Sequence, residues 1–310
     1  MSSPRHPLLP YAALIGLALI WGASFLFIKL AVRDMSPLML LLFRTVFGFV
    51  TLAALVRAMG RPIFGDGWRT RVFSYAFMAI TNAVIPWVAI AWGEERIASG
   101  LASILNSTTT LWTAVLIYWV VPSERPTLMN YVGVLIGFAG VVVLVYPDIS
   151  AHGVSGSFFG AMAVVVASIS YSINALYQRR KMRSVSVFEV SLGQLAAGMV
   201  FAVPLAAPSV PHLHVHLVSL ASVIALGAGG TGIAYLLYYY VMNTLGAVRA
   251  SGVTLLVPVT AVFWGVALLG ETLSAPIVIG MLVILAGVVL TNLRPGRRRA
   301  SAVETDSAAA

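Results

Sequence analysis

Ten stretches of the chain, each near twenty residues long and almost free of charge, follow one another with only short polar breaks. They lie near 10–31, 37–57, 71–93, 98–121, 127–146, 156–178, 185–206, 217–241, 248–269 and 275–293. A helix needs about 20 apolar residues to cross a hydrocarbon core roughly 30 Å thick, so every stretch has the length of a membrane span. Lipid offers the backbone no hydrogen bonds, which restricts spans to helices or a closed barrel. The strands of a barrel would show short alternating segments instead of continuous runs. With 60% hydrophobic and 9% charged residues among 310, the chain lies far from soluble domains, which run about 45–50% apolar and 25% charged. The expected fold is an all-α integral membrane protein of ten transmembrane helices, with no room for a soluble domain. That excludes a cytosolic enzyme, a receptor with an ectodomain and a nucleic-acid binder.

The first ten residues run straight into an apolar stretch of spanning length, which predicts an uncleaved first span instead of a removed signal peptide. The net charge of +9 is a topology signal. With the N-terminus inside, the cytoplasmic side collects Arg5, Arg57, Arg61, Arg69, Arg71, Arg125, Arg179, Arg180, Lys181, Arg183, Arg249, Arg294, Arg297, Arg298 and Arg299. The other side has only Lys29, Arg33 and Arg96, and Arg44 lies within a span. Fifteen against three predicts cytoplasmic termini, since a miscounted span would scramble the alternation. Zero cysteines exclude disulfides, thiolate metal sites and a cysteine nucleophile.

The two halves resemble each other. Ala98-Ser99-Gly100 recurs as Ala250-Ser251-Gly252, and Trp112 as Trp264, at an offset of 152. Glu124, Gly133 and 139–142 recur as Glu271, Gly280 and 286–289 at an offset of 147. A weaker match at 144 pairs Gly16 with Gly160 and Ala23-Ser24 with Ala167-Ser168. Five spans is an odd number, so the second half enters the membrane from the opposite face. The predicted units are residues 1–148 and 149–293, two inverted five-helix repeats, with 294–310 a cytoplasmic tail expected to be disordered. Inverted repeats are a signature of secondary transporters that alternate access around a midplane site.

Trp-Gly-Ala-Ser-Phe at 21–25, Arg44 in the second span, Gly-Glu-Thr-Leu at 270–273 and the Gly-rich tenth span with Ala286-Gly287-Val288 resemble the EamA family of the drug/metabolite transporter superfamily. More loosely they are similar to its YddG-type amino-acid exporters. The resemblance covers roughly residues 8–293. It implies efflux or exchange of small metabolites across a bacterial inner membrane, no enzyme activity and no cofactor. It also implies a cavity formed by the first four helices of each half, with the fifth helices bracing the outside. The chain departs from the pattern at Asn106, where the repeat partner is Pro258, and at Ser123-Glu124, where Gly-Glu is usual.

Polar side chains within spans cost free energy unless they face protein or water, so a stripe of them locates a cavity. In span four Ser99, Ser103, Asn106, Thr110 and Thr113 recur at helical spacing on one face, matched in span nine by Ser251, Pro258 and Gly265. The same stripe also suits close helix packing with interhelical hydrogen bonds. Trp21, Ser24 and Phe27 in span one, Tyr171 in span six, Tyr235 and Tyr239 in span eight, and the repeat-matched Trp112 and Trp264 are further candidate lining. Aromatic walls suit apolar or cationic groups by stacking and cation–π contact, although each ring serves equally as packing. Asn82 and Asn174 add amides fit for an amino-acid backbone or for interhelical bonds.

Two ionisable residues, Arg44 and Glu189, fall clearly within the predicted spans, and we read them as structural or gating charges. With Glu189 alone as a candidate proton carrier, near one end of its span, transport is expected to run down the substrate's own gradient. Glu124 and Glu271 each precede a helix and are read as caps of that helix. Gly133, Gly137 and Gly140 with Gly280 and Gly287 are read as bracing within the chain, which leaves a monomer or weak dimer. His212, His214 and His216 alternate in a Pro-rich loop without a carboxylate and are not read as a metal site. No serine, aspartate and histidine converge within the spans, which argues against an intramembrane hydrolase. No repeated selectivity element marks a channel. The expectation is a transporter of small amino-acid-like metabolites, aromatic ones among them, working by alternating access. The alternative is a viologen-type cation exporter of the same fold.

Overall fold

The computed structural model describes residues 8–120, 127–152, 154–212, 215–250 and 252–292. The readings made for Glu124, Ser251, His214 and the tail 294–310 lie outside them. Among the described residues nine helices are long and apolar enough to cross a membrane: α1 (Leu9–Ala31), α2 (Pro37–Ala58), α3 (Trp68–Glu94), α4 (Ser99–Val120), α5 (Leu128–Ala151), α6 (Gly156–Lys181), α7 (Val187–Pro211), α8 (Leu217–Gly246) and α10 (Ala275–Asn292). Between the last two lies the shorter apolar helix α9 (Val253–Leu269). Local signals set several ends. Ser36 accepts a hydrogen bond from the Met39 amide at 3.3 Å just before Pro37 opens α2, and Gly270 ends α9 with a left-handed φ of 67°.

The packing obeys the inverted repeat. Helix α1 packs on α9 as α4 packs on α6; α2 packs on α8 as α7 packs on α3; α3 packs on α6 as α8 packs on α1. Three further pairs, α2 with α7, α4 with α9 and α5 with α10, join a helix to its own repeat partner. The seam between α5 and α10 depends on glycine. A Cβ on Gly133 would stand 2.8 Å from the Gly287 carbonyl oxygen, and one on Gly287 would stand 2.6 Å from that of Gly133. The small residues of these helices therefore bring two backbones of the same chain together.

Several spans depart from regular α-helix. Helix α3 widens into a π turn at Ile80–Val84, and its repeat partner α8 does so at Ala225–Ile233. Such turns frequently mark functional sites, because they re-aim side chains and loosen the carbonyl ladder. Helix α4 is interrupted between Asn106 and Thr109. There the hydroxyls of Ser107 and Thr108 each donate to a carbonyl three residues back, Ile104 and Leu105, at 2.6 Å, competing with the backbone amides for those acceptors. In α9 the corresponding irregularity is Pro258, which can donate no backbone hydrogen bond.

Candidate substrate cavity

The eight helices other than α5 and α10 enclose a cavity of about 420 Å³, within the range of roughly 300–1,000 Å³ usual for small-molecule sites. Of the residues singled out from sequence, Trp21, Ser24, Asn82, Ser103, Asn106, Thr110, Tyr171, Asn174, Tyr235 and Pro258 line it, and so does Arg44. The π turns supply Asn82 from α3 and Gly230 and Thr231 from α8.

Four expectations are corrected. Thr113 leaves the predicted face because the break at Ser107–Thr108 shifts the helical phase, and its hydroxyl donates to the Thr109 carbonyl at 2.8 Å. Trp112 turns away from the cavity and packs edge-on against Phe138 of α5 at 4.8 Å between ring centroids. Tyr239 does not line the cavity: its ring packs tilted against Phe188, 4.5 Å between centroids, with the Arg61 guanidinium 5.8 Å from it. Glu271 does cap a helix, but not the one it precedes. Its carboxylate accepts the amides of Ser99 at 2.6 Å and Gly100 at 3.0 Å, at the start of α4 in the other half. Glu189 lies outside the cavity and ties α7 to α3, accepting from Arg71 Nη2 at 2.5 Å, Gly65 N at 3.1 Å and the Tyr75 hydroxyl.

The sequence reading missed Trp87, Ser191, Gln194 and Tyr238 among the lining residues. Gln194 carried a usable signal, an amide in the middle of an apolar span. It accepts from Asn82 Nδ2 at 3.1 Å and donates to the Tyr235 hydroxyl at 3.4 Å, so two predicted residues are held by one that was overlooked. Trp87 had no signal apart from its neighbour Pro86, yet its ring stacks beneath the Arg44 guanidinium, 3.9 Å from ring centroid to Cζ.

Arg44 is 8% exposed. Its Nε donates to Thr231 Oγ1 at 3.3 Å, and among the described residues no carboxylate lies within ion-pair distance of it. The Trp87 face stabilises the cation, by about 2 kcal/mol where both are dry, and leaves the terminal nitrogens beside the cavity. Two further lining residues, Asn106 and Ser103, have a side-chain oxygen that is buried without a hydrogen-bond partner among the described residues, in a class of groups that native proteins almost always satisfy. Arg44, Ser103 and Asn106 thus line one chamber together with the aromatic rings of Trp21, Trp87, Tyr171, Tyr235 and Tyr238.

The sequence pattern of the EamA-like transporter family matches the chain twice, over residues 8–146 and 158–293. The chain belongs to the EamA-like transporter family. Among similar proteins are the uncharacterized inner membrane transporter YedA of Escherichia coli K12, 28% identical over 92% of each chain, and the uncharacterized transporter YoaV of Bacillus subtilis, 22% identical over 92% of this chain and 97% of that one. A WAT1-related chloroplastic protein of Arabidopsis thaliana is 26% identical, over 96% of this chain and 72% of its own length. One solved crystal structure shares the fold, with a TM-score of 0.66 and 20% identity over 91% of this chain and 96% of that one.

The transporter's cavity reaches one end of the bundle and is sealed from the other. Toward the end that carries Arg61 and Arg179, lining residues Ala175 and Thr254 are exposed. Toward the opposite end, lining residues Ile28, Ile90 and Ser103 are buried, and polar ties cross above them. Lys29 Nζ donates to the carbonyls of Ile97, at 2.8 Å, and Glu94. Glu271 holds the start of α4, and Ser219 donates to Asp34. Because the transporter has no native cysteine, single cysteines report water access cleanly. Cysteine at Asn106 or Thr110 is expected to react with a small water-soluble thiol reagent, and cysteine at Thr113 to react at least about tenfold more slowly, a gap of roughly 1.4 kcal/mol in accessibility. Equal rates at all three positions would mean that the α4 break does not turn Thr113 away from water.

Proposed function

We propose that this transporter exports or exchanges small amino-acid-like metabolites across a bacterial inner membrane by alternating access, aromatic amino acids being one fitting class. The basic end is taken as cytoplasmic, since Lys and Arg accumulate in the cytoplasmic loops of membrane proteins, and the cavity here would then face the cytoplasm. The observation that carries the reading is the charge of the lining. Arg44 is the one formally charged side chain among the described lining residues, and it is unpaired. A carboxylate cargo would complete a bidentate pair with it, stronger than a neutral hydrogen bond by roughly twofold. The walls formed by Trp21, Tyr171, Tyr235 and Tyr238 accept an apolar or aromatic side chain. This likeness to YddG-type exporters extends to the cargo class.

The same charge disfavours the alternative. A quaternary cation entering beside Arg44 would meet a like charge in a medium of low dielectric, with no carboxylate among the described lining residues to offset it. Counterflow in proteoliposomes, screened over the amino acids and a viologen-type cation, tests the choice. Zwitterions bearing a free carboxylate are expected to exchange and their amides or esters to fail. Exchange of the cation with no exchange of any amino acid would overturn the reading.

A further inference from the structure

Glu94, the last residue of α3, is 0% exposed, and both its carboxylate oxygens are buried without a hydrogen-bond partner. The ionisable groups around it are Lys29 from α1, Arg44 from α2 and Glu271 from the turn between α9 and α10. Lys29 spends its ammonium on main-chain carbonyls, one of them Glu94's own, and no ion pair with the Glu94 carboxylate forms. Glu271 is engaged by the amides of α4. Next along the chain, Glu95 and Arg96 pair with each other at 2.8 Å. Helix α6 contributes the uncharged Gly160 and Val164, packed on Gly93.

Position along α3 adds meaning to this isolation. Trp87 and Ile90, which line the cavity, stand seven and four residues before Glu94, so all three share a helical face. Glu94 is then one turn, about 6 Å, beyond the cavity wall, inside the plug that separates the cavity from the sealed end. An ionised carboxylate there, out of water and without donors, costs several kcal/mol, whereas the neutral acid costs far less.

We propose that Glu94 is a proton-binding site, occupied while the end beyond it is sealed and emptied when that end opens to water. On sealing, the carboxylate takes one proton from water on that side and becomes a carboxylic acid. On opening, the O–H bond breaks and the proton returns to the same water, so no charge crosses the membrane. Acidity on that side favours the return of the empty transporter to the state whose cavity faces the basic end. The inference rests on the alternating-access reading above, but not on the identity of the cargo. It replaces the expectation that Glu189 is the lone carboxylate within the spans, which failed because the predicted third span stopped at 93, one residue short.

The test needs no cargo, so a failed cargo screen leaves it decisive. The full chain carries spin labels on cysteines replacing the exposed Arg33 and Glu95, which follow α1 and α3 at the sealed end, and their distance distribution is read in nanodiscs between about pH 5 and pH 9. With a single linked proton, the sealed-to-open ratio in the otherwise wild-type chain is expected to fall by up to about tenfold per pH unit over part of that range. Glu94→Gln, a permanent mimic of the neutral acid, is expected to stay sealed at every pH. Glu94→Asp, which keeps a carboxyl group, is expected to keep a pH response and serves if Glu94→Gln does not fold. A flat profile in the parent, a Glu94→Gln profile with the parental pH dependence, or a flat Glu94→Asp profile would each overturn the proposal.

Discussion

Replacing Arg44 by glutamine is expected to weaken cargo binding about 10- to 100-fold, because one hydrogen-bonded contact to a charged group contributes roughly 1.5–3 kcal/mol. The protein should still fold. Arg44 donates a side-chain hydrogen bond to Thr231, and glutamine can offer the same donor with less charge to bury. Arg44→Lys is expected to rescue poorly, since an ammonium neither forks onto a carboxylate nor lies flat on the Trp87 ring as the guanidinium does. Isothermal titration of the purified variants with a cargo from the counterflow screen, beside their thermal midpoints, separates the roles. Unchanged affinity combined with a lowered midpoint would return Arg44 to the purely structural role expected of a buried charge.

The second large effect is expected at Glu271. Its carboxylate closes two free amides of α4 from across the repeat boundary, so Glu271→Ala removes both bonds at once and leaves the amides to seek water. Even if only about 1.5–3 kcal/mol of that loss falls on the sealed state, the open population rises roughly 10- to 100-fold. Cysteine at Ile28, buried at 2% exposure beneath the seal, reads this directly. Its reaction with an impermeant thiol reagent added from the sealed side is expected to be very slow in the parent and faster by that factor in Glu271→Ala. Glu271→Gln, which keeps one acceptor oxygen, should fall between the two. An unchanged rate in Glu271→Ala would show that the seal does not depend on this cap, and that the ties of Lys29 and Ser219 hold the end without it.

The framework was legible in the sequence because it follows from local quantities. A span is a run of apolar residues as long as a bilayer is thick, and such runs can be counted without knowing their neighbours. The inverted repeat was equally legible, from the constant offsets that pair Ala98-Ser99-Gly100 with Ala250-Ser251-Gly252 and Gly133 with Gly280. Polarity within apolar runs brought many candidates to one cavity, Asn82, Asn174 and Tyr235 among them, since buried polar groups in lipid must face protein or water.

What tertiary structure alone decided was the phase of each helix and the partner of each charge. Thr113 fits a regular 3.6-residue stripe, and only the hydroxyl-induced break at Ser107–Thr108 turns it away. Trp112 and Trp87 are alike in sequence, two tryptophans in apolar spans; one faces Phe138 and the other supports Arg44 because of which helix lies opposite. Glu271 reads as a cap for its own helix until the fold brings the start of α4 closer. Glu94 sits where hydropathy ends, and from the sequence it is one more charged residue in a loop. Its isolation arises because α6 packs on the preceding Gly93 while the ammonium of Lys29 is held by backbone carbonyls. Hydropathy is a property of a segment, whereas the burial of one carboxylate is a property of everything packed around it.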